Sequence, residues 1–90
     1  MAIDRKYGRV TLEHGAIGDN EPVVVFRARD ALLPKVLMYY ILFCLKAGSS
    51  RRHIDSLLNT LPVIEEWQRK HGGSVKVPDS ETSKSWGYDE

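Results

Sequence analysis

An α+β fold is what this ninety-residue chain predicts: a β-hairpin, with room for a third short strand, packed on an αα-hairpin and followed by a C-terminal tail. Three observations carry that expectation. The first thirty residues contain stretches that alternate polar and apolar side chains or run β-branched, the pattern of half-buried strands. Two apolar-rich stretches at helical spacing follow, joined only by Gly48-Ser49-Ser50, a link short enough to fold them back on each other. Beyond residue 79 the periodic apolar signal stops. Residues 1–79 therefore read as a single small α+β domain, and 80–90 as a polar tail suited to docking on a neighbouring subunit.

Each element has its own signals. Arg9-Val10-Thr11-Leu12-Glu13 alternates, and Val23 to Ala28 is β-branched and aromatic, so these predict the two strands of the hairpin. Two glycines, Asp19-Asn20 and Pro22 mark the loop between them. The first helix starts between Asp30, a natural N-cap, and Leu33, because Pro34 fits only a first turn. It runs to Ala47, where Gly48 supplies the left-handed stop and Lys46 complements the helix dipole. Ser49 or Ser50 caps a second helix from Arg51, whose Ile54, Leu57, Leu58, Leu61, Ile64 and Trp67 share one face. Pro62 predicts a kink or a fresh helix start, and His71-Gly72-Gly73 an end. Val75-Lys76-Val77 is the candidate third strand, stopped by Pro78-Asp79.

Composition narrows the function. Apolar residues make 42% and charged residues 28%, an ordinary folded mixture. The net charge of +1 disfavours a strongly cationic nucleic-acid binder. A single cysteine, Cys44, rules out an intrachain disulfide framework and reads as a small buried hydrophobe. The start lacks an apolar signal region, and the ten-residue run Val36–Leu45 is half of what a membrane span needs. Together these point to a cytoplasmic protein with no membrane partner.

That same run is the strongest feature of the chain. From Val36 to Leu45 no residue is polar enough to face water comfortably, and ten residues cover nearly three helical turns. A chain of ninety residues buries only a little over ~60% of its unfolded surface, too little to wrap such a helix completely. The 34–47 helix is therefore expected to be a self-association surface, giving a homo-oligomer that is two-fold or a ring of two-fold pairs. Tyr39 and Tyr40 would bring hydroxyls to its rim, whereas the spacing of Trp67 places it in the core.

Positive charge concentrates at the helical corner. Residues 31–56 carry Lys35, Lys46, Arg51 and Arg52 against Asp55 alone, while 72–90 are net acidic. A glycine-serine turn entering a helix presents unpaired amides to an anion, and guanidinium groups add bidentate donors for phosphate. Ser49, Ser50, Arg51, Arg52 and His53 thus form a candidate phosphate-binding corner, with ordinary capping as the plainer account. Arg27 and Arg29, two apart on an expected strand, would share a face and form a second anion clamp, while Phe26 and Ala28 enter the core. Trp86 and Tyr88 in the tail could cover a base. Catalytic signals are thin. His14, His53 and His71 are scattered, no HxxxH or CxxC pattern offers a metal site, and Glu65-Glu66 cannot face each other on a helix. No catalytic residue, cofactor or metal is expected, and the chain is not read as an enzyme.

The segments Glu21-Pro22-Val23 … Phe26-Arg27-Ala28-Arg29-Asp30 and Lys76-Val77-Pro78-Asp79 resemble short phage and prophage proteins that carry an EPV…FRA-x-D segment and a late K-x-P-D. The resemblance covers residues 7–79 in outline and brings no activity with it. It implies a viral protein in a bacterial cytoplasm, where such proteins often sequester a signalling nucleotide or block a host factor. The leading expectation is a non-enzymatic binding protein that sequesters a phosphorylated small ligand, a nucleotide immune signal being the candidate, in an oligomeric cleft. The alternatives are an inhibitor that binds and blocks a host protein, and a small nucleic-acid-binding regulator.

Overall fold

A computed structural model describes residues 1–78 and bears out the α+β class, with a small sheet and a helical hairpin. The chain divides into two compact units, of which Met1–Phe26 holds the sheet and Arg27–Pro78 the helices.

The hairpin of the first unit is not the expected one. Strand β1 (Ala2–Asp4) pairs antiparallel with β2 (Gly8–Val10), in the register Ala2–Val10, Ile3–Arg9 and Asp4–Gly8. Strand β3 (Pro22–Val23) adds to the other edge of β1 in parallel, giving the order β2-β1-β3. The expected strand at 9–13 therefore stops at Val10, and the one at 23–28 stops at Val23.

The reason lies in Asp4. One of its carboxylate oxygens accepts the amides of Lys6 and Tyr7 at 2.8 and 2.7 Å, shaping the tight turn that Gly8 completes at φ 91°. The other accepts the Val25 amide at 2.7 Å, so the β-branched run leaves the sheet through a side chain instead of a ladder. These amide bonds, Tyr7 foremost, hold the Asp4 carboxyl below its usual range although burial opposes them. Phe26, expected in the core, is half exposed.

In the second unit a turn from Arg27 to Asp30 leads into helix α1 (Leu33–Ala47). Asp30 organises that turn and does not cap the helix: its carboxylate accepts the Leu32 amide at 2.8 Å. Pro34 sits in the first turn, where it needs no donor. Gly48 stops the helix at φ 82°, and the amides of Gly48 and Ser49 return to the carbonyls of Leu45 and Cys44.

Helix α2 (Arg51–Lys70) begins with the Ser50 hydroxyl accepting the His53 amide at 3.2 Å. It continues through Pro62 without a new start. Pro62 lies on the exposed side, where water can satisfy the carbonyl its ring leaves without a donor. Ile41 and Cys44 of α1 meet Ile54 of α2 in the core, with Leu37 and Leu57 packed around them.

At the far end of α2 the His71 ring stacks on Trp67, with centroids 4.2 Å apart, and a 3₁₀ turn follows over Gly72–Ser74. The expected strand at 75–77 is a single parallel bridge between Lys76 and Asp30. The Gln68 side chain donates to the carbonyls of Ala28 and Asp30 at 3.0 and 2.9 Å, fastening the turn before α1 to the end of α2.

Candidate functional site: the outer face of the first helix

Helix α1 has apolar residues on every side but a buried strip on only one. At about 100° per residue, Leu33, Leu37, Ile41 and Cys44 share the strip that faces α2. Diametrically opposite lie Lys35, Tyr39, Leu42 and Lys46, flanked by Met38 and Leu45 on one side and Phe43 on the other. These apolar residues stay open: Met38 is 54%, Tyr39 63%, Leu42 51%, Phe43 63% and Leu45 55% exposed.

Two shallow grooves border the Tyr39 ring. One, of about 360 Å³, is lined by Lys35, Met38, Tyr39 and Leu42; the other, of about 450 Å³, by Val36, Tyr39, Tyr40 and Phe43. Tyr39 is thus a ridge between two apolar hollows, the relief on which a second helix can seat its side chains. No acid lies anywhere on α1, and its only charges are Lys35 near one end and Lys46 near the other. A single large apolar residue in water is ordinary, whereas here they form one contiguous apolar face.

The predicted phosphate corner lies beside this face, with several of its groups already engaged. The Ser49 amide closes α1 and the Ser50 hydroxyl caps α2. Arg51 pairs with Asp55 one turn on, at 3.1 Å, with both side chains largely exposed. Arg52 is exposed and makes no hydrogen bond or ion pair among the described residues. His53 sets its ring edge against Tyr40 of α1, with centroids 6.1 Å apart. Interaction with the Cys44 side chain, and to a smaller extent burial, holds the Tyr40 phenol above its usual range.

Arg27 and Arg29 do not share a strand face, because the chain turns between Arg27 and Asp30. Arg27 is exposed and Arg29 half-buried, and the Arg29 Nε is enclosed without a hydrogen-bond partner among the described residues. Trp86 and Tyr88 lie outside the described residues. Among the described residues, no group of three His, Cys, Asp or Glu side chains is placed to hold a metal ion, and no helix is long and apolar enough to cross a membrane.

Two organising residues escape a reading of the sequence. Asp4 carries no signal, since one acid in a three-residue strand looks like a polar terminus. Gln68 sits on an amphipathic helix as one more polar residue, and only the approach of the Ala28–Asp30 turn gives its amide a task.

Neither a family model, nor a curated protein, nor a solved structure matches this chain.

Proposed function

We propose that this chain is a non-enzymatic binding protein whose working surface is the outer face of α1. One observation carries the reading: ten consecutive apolar residues form a helix that is buried on a single strip, with Tyr39, Leu42 and Phe43 more than half exposed on the other side. Each large apolar side chain left in water forgoes about 1.5–3 kcal/mol, so covering this face with protein is strongly favourable. The ends of the face are basic and its middle is uncharged, the make-up of a protein contact with a dry centre and a polar rim.

A photo-crosslinking benzoylphenylalanine placed at Leu42 or Phe43 of the full chain, in the producing cell, should give protein adducts. The same group at exposed Glu65 on α2 should give none. Absence of any adduct from both α1 positions would remove the reading.

A second reading, capture of a phosphorylated small ligand at the corner, is favoured by Arg52, which has no hydrogen bond or ion pair among the described residues and stands at the positive end of α2. Phosphorylated nucleotides would then raise the melting temperature, by the equivalent of about 2.7 kcal/mol at a hundredfold excess over Kd. Arg51→Ala combined with Arg52→Ala would abolish the rise, and a flat response across a nucleotide panel rejects the reading.

A further inference from the structure

We infer that the occupant of this face is another protein that receives α1 in a concave apolar groove, open at both ends and carrying carboxylates at its two mouths. The inference rests on the reading of α1 as the working surface and adds the shape and charge of what covers it.

Width argues for a concave partner. At about 100° per residue, Leu33, Leu37, Ile41 and Cys44, the strip that faces α2, span about 80° of the helix surface. One neighbouring helix thus covers what one helix ordinarily covers, a stripe on the order of 100°. The exposed apolar arc is far wider. It runs from Leu45 through Met38, Leu42, Tyr39 and Phe43 to Tyr40, about 220° around the helix. Each of these side chains is 49% exposed or more. A second straight helix or a flat surface would leave more than half of that arc in water. A partner with two walls, one against Met38 and Leu42 and the other against Phe43 and Tyr40, covers both hollows beside the Tyr39 ridge. This is the seating of a helix in a groove, with α1 as the guest.

Charge sets the ends of the groove. Lys35 and Lys46 are about 16 Å apart along the axis, both exposed, and α1 carries no acid. Both lie near the middle of the arc, so a groove closed at its ends would bury two unpaired ammonium groups. A groove open at both ends lets each ammonium reach a carboxylate at the rim, where opposite charge also steers the approach. A lipid surface fits less well, because the middle of the arc is the line that would enter a bilayer deepest, and the lysines stand on it. A second α1 brings lysines and no acid, and supplies neither the walls nor the carboxylates.

Photo-crosslinking from both walls tests this. Benzoylphenylalanine is placed in the full chain, in the producing cell, at Met38 in one variant and at Phe43 in another, positions about 140° apart around the helix. Adducts are purified under denaturing conditions and mapped by mass spectrometry. Both variants should join the same protein, at two different peptides. Lys35→Glu together with Lys46→Glu should lower both yields by roughly three- to tenfold, whereas Lys35→Arg with Lys46→Arg should keep them. Circular dichroism melting of the purified chain checks that the reversed variant folds. If it does not, Lys35→Gln with Lys46→Gln takes its place, with a smaller loss in the same direction.

Adducts from one wall only, or with a different protein from each wall, overturn the groove. So do adducts with lipid, with a second copy or with residues 79–90 of the same chain, and yields indifferent to the charge reversal. Where one-walled adducts are with protein, the working surface stands and only the shape of its occupant changes. Where Met38, Leu42 and Phe43 all give none, both fall.

Discussion

Truncating Ile41 and its neighbour Leu42 to alanine, one at a time, separates the two sides of α1 by about 2 kcal/mol. Ile41 is 5% exposed and touches the Cys44, Ile54, Leu37 and Leu57 cluster. Removing a buried isoleucine side chain costs about 2–5 kcal/mol, depending on how far the surroundings collapse. Here the cluster is small, and no large side chain among the described residues is fully sealed from water, so collapse is easy and about 2–3 kcal/mol is expected. Against a total of about 5–13 kcal/mol for a chain of this length, that is a large share. It corresponds to a drop of roughly 10–20 °C in melting temperature. Leu42 is 51% exposed, so in a lone chain its truncation should cost less than about 1 kcal/mol. Urea unfolding followed by circular dichroism at sub-micromolar protein measures both without association. Equal costs for the two variants would mean that Leu42 is covered within its own chain, and the outer face would not exist.

Two further outcomes follow from local geometry. Gly48→Ala should cost about 1 kcal/mol in the same unfolding assay, because φ is 82° there while the space for a Cβ is empty, leaving backbone strain as the whole penalty. Asp4→Asn should lower the melting temperature at pH 7 with a gap that closes on acidification. The carboxyl is held below its usual range in the folded chain, so its contribution is present above that range and is lost as pH falls through the depressed value. A gap that stays constant from pH 7 to pH 3 would contradict the role given to its charge.

The helical half of the fold was readable because its signals are local. Gly48 stops α1 and Ser50 caps α2, each by a bond within a few residues of itself. The buried strip also follows from spacing, and the excess of apolar residues over what one strip can hide announces the outer face. The sheet was not readable in the same way. Ala2-Ile3-Asp4 is too short to show a period, and it becomes a central strand only because Val10 and Pro22–Val23 come to its two edges. Val24 to Ala28 has strand composition yet leaves the sheet, since a distant carboxylate takes the Val25 amide and a turn follows at Arg27. The shared strand face expected of Arg27 and Arg29 is lost for that reason: it required an extended backbone that the turn removes. At the corner, residue types suited to an anion stand together in the sequence, but capping engages the Ser49 amide and the Ser50 hydroxyl, which composition cannot disclose.

The Gln68 amide makes a clasp of what would otherwise be an open pair of tongs. A helical hairpin is hinged at its tight link and free to splay at the opposite end. Here one side chain grips two backbone carbonyls on the strand of chain leading into the other arm. Spreading the arms therefore means breaking both grips together, so the two rods part at that end in one step or not at all.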